Sequence, residues 1–243
     1  GFPSQQVKLS LGDAKATILD KLEQFLSKHS KSQDLGLRLD GEQLAAGVRF
    51  VRMVKEGTYD IVVGNPPYQG LSKTEAFGYL VKTYPTGKAD LYSAFLERGL
   101  ELAKPNAYSA MVTMQGWMFL GQFAELRRYI LDSNCLRSVA DLMWCAFENM
   151  RHATVAMAVV SRGADRYADS VAVAPTDRQE REESIPALRK KKAGLLVQVG
   201  RHDFDPHSFA VIEGQPIVYW WPRTFLAEYD QARKLGRTFP VRF

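Results

Sequence analysis

The sequence predicts an α/β fold built on a mostly parallel sheet, and three features carry that reading. Short strand-like runs recur at Tyr59–Val63, Tyr108–Thr113, Leu136–Leu142 and Thr154–Ser161. The first is almost wholly apolar, which suits a buried parallel strand. Amphipathic helical patterns stand between them, over Leu91–Ala103 and Gly121–Leu131. Gly and Pro punctuate the ends, and strands alternating with helices of this length argue for βαβ units.

Taken in order, Val7–Leu11 is strand-like. Ile18, Leu19, Leu22, Phe25 and Leu26 then give residues 13–29 one apolar face, as a helix requires. A polar break at His29–Asp34 precedes a second helix over Gly41–Lys55, carrying Leu44, Val48, Val51 and Val54. The strand Tyr59–Val63 is stopped by Gly64-Asn65-Pro66-Pro67, because proline donates nothing to a ladder. A Gly-, Ser- and Lys-rich loop runs to Ala89, and Lys104-Pro105-Asn106 closes the helix that follows. After Ser161 the composition shifts to the charged runs Arg178–Glu183 and Arg189–Lys192, and from Leu195 the chain reads as β-rich and aromatic. The expected division is therefore 1–165, a charged linker or insertion over 166–208, and the start of a second, β-rich domain over 209–243.

Composition narrows the class. With 243 residues, 46% hydrophobic and 24% charged, the chain can bury a sizeable core, so disorder and coiled coil are excluded. No apolar run reaches the roughly 18–20 residues of a membrane span. The first residues show no basic and apolar signal-peptide regions. With only Cys135 and Cys145, which suit buried thiols, a reducing cytoplasm and no membrane association are expected. The four histidines show no metal-ligand spacing, so no metal is expected; no P-loop and no Ser-His-Asp arrangement is present. A net charge of +5 suits a polyanionic partner without establishing one.

Chemistry concentrates in Asn65-Pro66-Pro67-Tyr68, at the carboxyl end of a strand, where open α/β sheets place ligands. One reading is an ordinary Pro-Pro loop with an Asn turn. The other is methyl transfer to an amino group conjugated with a ring or carbonyl, whose delocalised lone pair makes it a poor nucleophile. An Asn side-chain oxygen and a backbone carbonyl held by rigid prolines can each accept one N–H bond. Together they favour a pyramidal nitrogen and stabilise the positive charge that develops on it. An aromatic residue next in line offers a base a stacking platform.

These residues resemble motif IV of the S-adenosylmethionine-dependent N6-adenine DNA methyltransferases. Ala89–Glu97 is similar to motif V, Tyr108–Thr113 with Trp117 to motif VI, and Ala146–Arg151 to motif VIII. Their order matches the class in which cofactor binding precedes catalysis and target recognition follows. The resemblance implies a Rossmann-like class I methyltransferase sheet acting on double-stranded DNA in a bacterial cytoplasm, with S-adenosylmethionine as cofactor. It implies that Asn65 and the Pro66 carbonyl hold the adenine amine, with Pro67 stiffening the loop. Tyr68 would stack on the flipped-out base, Phe147 close its other face, and Phe95, Tyr92 and Asp90 lie at the cofactor. Against the family pattern, no Gly-rich motif I precedes residue 60, so the sheet is expected to be incomplete on its N-terminal side, and Gly12-Asp13 is at most a remnant of an earlier strand. Phe209–Trp220 is similar to the segment entering the recognition domain of large methyltransferases of the bacteriophage-exclusion (BREX) or fused restriction–modification type, which implies further defence-system subunits as partners. Arg189–Lys192 is either a phosphate contact or a solvated helix face. Two alternatives stay open: a protein glutamine or RNA methyltransferase using the same loop, and a non-catalytic DNA-binding segment.

Overall fold

The computed structural model describes residues 53–70, 74–144, 146–147, 153–165, 169–176 and 184–238, with a few positions before them including 46–51. Two compact units are present, Gly1–Lys55 and Glu56–Phe243. In the first, residues 46–51 are helical, inside the helix expected over 41–55. The strand expected at 7–11 and Gly12-Asp13 lie outside the described residues, as does nearly all of the helix expected at 13–29.

The second unit is a six-stranded sheet: β1 (Tyr59–Gly64), β2 (Ala103–Met114), β3 (Cys135–Met143), β4 (Val155–Ser161), β5 (Ser170–Val173) and β6 (Arg201–Phe204). Its order is β1-β2-β4-β3-β5-β6. β1 pairs parallel with β2, and β3 with β5, while the other three pairings are antiparallel. The sheet is thus mixed: β1, β2, β3 and β5 point one way, and β4 returns as a hairpin arm between β2 and β3.

In the second unit the described α-helices are α1 (Phe77–Thr83), α2 (Leu91–Leu102), α3 (Ala124–Ser133), α4 (Ile185–Leu196) and α5 (Arg223–Thr238). None among the described residues is long and apolar enough to cross a membrane. α2 starts where expected because Asp90 and Ser93 form a capping box. It runs straight into β2 at Ala103, earlier than the sequence suggests. The register shift beside Tyr59 and the left-handed Asn106 (φ 63°) absorb Pro105.

The strand registers separate the two faces of the sheet. Ser109, Met111 and Thr113 on β2, Ala156, Ala158 and Val160 on β4, and Val139 and Asp141 on β3 share one buried face. α2 lies against it so closely that a Cβ on Gly99 would stand 2.4 Å from Ser109 Oγ. Trp117, Phe123, Leu126 and Ile130 extend the same core. The other face holds Ile61, Val63 and Tyr108, all exposed.

Beyond residue 165 the structure departs from the expected linker and β-rich domain. β5 and β6 extend the same sheet, and Phe209, Ile217, Tyr219 and Leu226 join the same core. Residues 217–219 are buried consecutively, without the alternation of a strand, between Pro216 and Pro222, which keep this backbone out of a ladder. The charged run 178–183 lies outside the described residues.

Candidate active site

Asn65–Tyr68 leaves the carboxyl end of β1, as the sequence predicts, and its backbone is fixed at both ends. At the start, Gly64 is in register with Met111 of β2. At the exit, Asp90 Oδ1 accepts from Gln69 N at 3.2 Å, and Gln69 O accepts from Leu91 N at 2.8 Å. The same Asp90 oxygen caps α2 through Tyr92 N at 3.2 Å. One carboxylate therefore joins the loop to the helix. Burial raises its pKa above the ordinary carboxylate value, against the lowering effect of backbone donors at Tyr92, Gln69 and Leu91.

Within the loop, Pro66 is buried while Asn65 and Pro67 are exposed. Tyr68 is half-buried, and its hydroxyl donates to Asn65 Oδ1 at 3.4 Å and to Val112 O at 3.5 Å, both long bonds. Its ring meets Tyr92 edge-on, with centroids 6.1 Å apart and planes at 85°. Tyr92 packs in turn on Phe123 at 5.7 Å. Burial raises the pKa of both the Tyr68 and the Tyr92 hydroxyls.

Tyr92, expected at the cofactor, is 2% exposed and backs Tyr68 from within the core. Asp90, expected there too, has its carboxylate engaged by the loop and the helix cap. Phe95 does stand open, in an apolar cleft of about 140 Å³ lined also by Tyr79, Leu80, Tyr84, Leu91 and Arg98. Phe147 is exposed in the segment joining β3 to β4, at the carboxyl edge of the sheet shared with Asn65. Glu148–Arg151, the rest of that motif, lies outside the described residues.

Three supporting groups were not read from the sequence. Glu97 is 7% exposed, and its Oε2 accepts from Thr86 Oγ1 and Gly87 N, both at 2.8 Å. Ser93 Oγ adds a 2.6 Å bond to Gly87 O, so the strand of loop preceding Asp90 is clamped to α2. A carboxylate on the buried side of an amphipathic helix was the available signal. Second, the fully buried Asp141 accepts from Gln115 Nε2 at 2.8 and 2.7 Å and from Tyr219 Oη at 2.6 Å. Third, the buried Arg127 donates to the carbonyls of Trp117, Leu120 and Gly214 at 2.7–2.8 Å, and burial lowers its pKa to about 10. No local pattern announces the last two, because their partners lie 26–87 residues away or are backbone.

An open α/β sheet of this kind is a methyltransferase-type fold. The chain belongs to the Eco57I restriction-modification methylase family, whose model matches residues 6–145. It is 29% identical over 212 residues to the adenine-specific methyltransferase BrxX of Escherichia coli O9:H4 (strain HS), covering 83% of this chain and 17% of that protein. It is 32% identical over 174 residues to the adenine-specific methyltransferase PglX of Lacticaseibacillus casei (strain Zhang), covering 67% of this chain and 14% of that one. The chain thus spans about a sixth or less of these relatives' length. The fold is shared with a nuclease-deletion mutant of the Type ISP restriction-modification enzyme LlaGI, solved with a DNA substrate mimic. The TM-score is 0.52 at 14% identity, over 80% of this chain and 18% of that one.

Proposed function

We propose that this chain carries the amine-activating part of an S-adenosylmethionine-dependent N6-adenine DNA methyltransferase, in a phage-exclusion or restriction–modification system. The observation that carries the reading is an exposed Asn65, on a loop pinned by Asp90, at the carboxyl end of β1. An adenine amine brought to the loop would exchange the long Tyr68 bond on Asn65 Oδ1 for one of its own N–H bonds. The Pro66 carbonyl would accept the second. With both hydrogens held, the lone pair is turned out of conjugation, and the two oxygens stabilise the positive charge that grows as the new N–C bond forms. Tyr68, braced by Tyr92, would offer the flipped base one face and Phe147 the other.

When bound, S-adenosylmethionine would supply the methyl group, and N6 would give up a proton on gaining it. The described residues offer that cofactor an apolar wall around Phe95, but no acidic side chain lines the cleft to meet its ribose hydroxyls. No Gly-rich turn stands before residue 60 to receive its carboxylate end. These residues do not make up the site by themselves. Calorimetric titration of residues 1–243 with S-adenosylmethionine is expected to show weak binding or none, and tight binding would refute that assignment.

The function is tested by expressing the parent polypeptide and mapping N6-methyladenine in host DNA by single-molecule sequencing. Loss of one preorganised acceptor in Asn65→Ala should slow methylation by about 10²–10³-fold. Methylation absent in the wild type, or undiminished in the variant, sinks the proposal. A methylated glutamine in a protein target would select the alternative substrate.

A further inference from the structure

The excursion between β5 and β6 carries cationic and apolar surface that the chemistry above does not use. α4 buries Leu188, Lys191 and Gly194 and turns Arg189, Lys190 and Lys192 outward. Positions 189, 192 and 196 fall on one helical face, so the cationic stripe leads into Leu196. There the helix ends in an apolar tip: Leu196 is 87% exposed, Val197 74% and Val199 50%. Scattered exposed apolar side chains mean little, but three on one built turn beside a cationic stripe form a feature.

The tip is held in shape. Val197 N donates to Ala193 O at 3.2 Å, Val199 N to Gly194 O at 2.9 Å, and Ala174 N to Gly200 O at 3.0 Å. Gly200 has φ +68°, and a Cβ there would come within 2.1 Å of Ala174 O, so the turn closes only with glycine. Lys191 anchors the helix by donating from Nζ to Trp144 O, just beyond β3.

Strand registers locate this tip. Arg201, the residue after Gly200, pairs with Val173, the last residue of β5. Val173 pairs with Ala140 of β3, which points the same way as β1. The 174–200 excursion therefore leaves the carboxyl edge of the sheet, the edge that carries Asn65. β1 and β5 are four strand spacings apart, or roughly 19 Å at ~4.8 Å each. At ~3.4 Å per nucleotide step that is about six base pairs.

We propose that α4 and the Leu196–Val199 tip bind duplex DNA at a second place, flanking the target adenine. Arg189, Lys190 and Lys192 lie along phosphates, and Leu196 with Val197 enters a groove as an apolar wedge between base steps. This rests on DNA being the substrate of the Asn65 loop. Cationic residues beside an apolar tip would also suit an anionic membrane, but the shared sheet edge favours DNA.

The test uses the parent polypeptide and a duplex of about thirty base pairs, with binding measured against salt and bending measured by end-to-end energy transfer. Arg189→Ala/Lys190→Ala/Lys192→Ala should lower the slope of log affinity on log salt by about 0.9 for each phosphate no longer neutralised, up to about 2.7. Leu196→Ser/Val197→Ser should keep the wild-type slope but reduce a kink of roughly 20–90°. An unchanged slope in the first variant overturns the proposal, as does a wild type that leaves DNA straight or a kink that the second variant leaves unchanged. So does flotation with phosphatidylglycerol vesicles that Leu196→Ser/Val197→Ser abolishes while DNA binding stays intact. All five substituted side chains are exposed, and matching melting temperatures would confirm intact folding. Normal methylation by Asn65→Ala together with a reduced slope in the α4 variant would sink the function proposal and leave this DNA-binding surface standing.

Discussion

The Asn65–Tyr68 loop and the Thr86–Glu97 clamp lie on either side of Asp90 and are built in opposite ways. Inside the loop the side-chain bonds that Tyr68 makes to Asn65 and to Val112 are 3.4 and 3.5 Å long, and Asn65 is exposed. Inside the clamp, Glu97, Ser93, Thr86 and Gly87 are joined by bonds of 2.6–2.8 Å, with Glu97 and Ser93 buried. Under the role proposed for Asn65, the difference is functional. An acceptor meant for a substrate N–H should be weakly engaged before substrate arrives, since a strong internal bond would have to be broken first. The backbone that aims it should be held firmly, because small displacements of a reacting group are costly. Asp90 connects a firm base to a responsive tip.

The comparison fails first, and most visibly, at Glu97. Glu97→Ala leaves the part-buried Thr86 hydroxyl and the buried Gly87 N–H without their acceptor, a loss of about 3 kcal/mol at ~1–3 per orphaned group. For a unit of this size that lowers the melting temperature by about 6–12 °C at ~2–4 °C per kcal/mol. Asn65→Ala should melt within about 0.5 kcal/mol of the wild type, as exposed substitutions do. Calorimetry showing the reverse order would overturn the division into base and tip.

A smaller effect is expected at Tyr68. Removing its ring in Tyr68→Ala should weaken target-base engagement by about 1–3 kcal/mol, while Tyr68→Phe keeps the platform and loses only the long hydroxyl bonds. Fluorescence of a base analogue at the target reads this directly. The defect should shrink on a mismatched or unpaired target, where less stacking within the duplex must be given up. A Tyr68→Phe variant as impaired as Tyr68→Ala would mean that the hydroxyl, and not the ring, is the working group.

What could be read from the sequence follows from the range of the interactions. β1, α2, the body of β2, β3 and β4 were legible because each is a local pattern: an apolar run, a 3.6-residue stripe, a proline stop. The position of the Asn65–Tyr68 loop at the end of β1 was legible because a proline stop is a local signal. Tyr92 and Asp90 could be placed on α2 but not given their jobs, because one helix turn decides which side chain faces Phe123 and which the Asn65 loop. The long-range partners of Arg127 and Asp141 were not legible at all. The tail differs from its sequence pattern for a related reason: Ile217–Tyr219 looks like a strand by composition, yet its partners are the Trp117 loop, through Ile217 N to Met118 O at 2.9 Å, and Asp141. Only the three-dimensional arrangement supplies those.

The subtlest expected effect is at Asp90 and separates its geometry from its charge. Its folded pKa lies above 3.8 because desolvation outweighs the backbone donors. A carboxyl shifted upward holds its proton more tightly in the folded state, so it favours folding most at low pH. That contribution is lost as pH rises from 3.8 through the folded value. At neutral pH the charge is therefore a cost, and the acceptor oxygen is what matters. Asp90→Asn keeps an oxygen for Tyr92 N and Gln69 N, since Asn caps helices as well as Asp does. It should be no less stable than the wild type at about pH 7, with the difference closing toward about pH 3, and should retain kcat. Asp90→Ala should lose about 1 kcal/mol of stability for the missing cap. It should also lower kcat with little change in DNA affinity, because the loop exit loses the Gln69 N bond and keeps only the backbone bond from Leu91 N to Gln69 O. Denaturant melts from about pH 3 to 7, read beside methylation rates of the parent polypeptide, distinguish the cases. If Asp90→Asn is as impaired as Asp90→Ala, the carboxylate's charge acts on a ligand directly and Asp90 is more than the link between loop and helix.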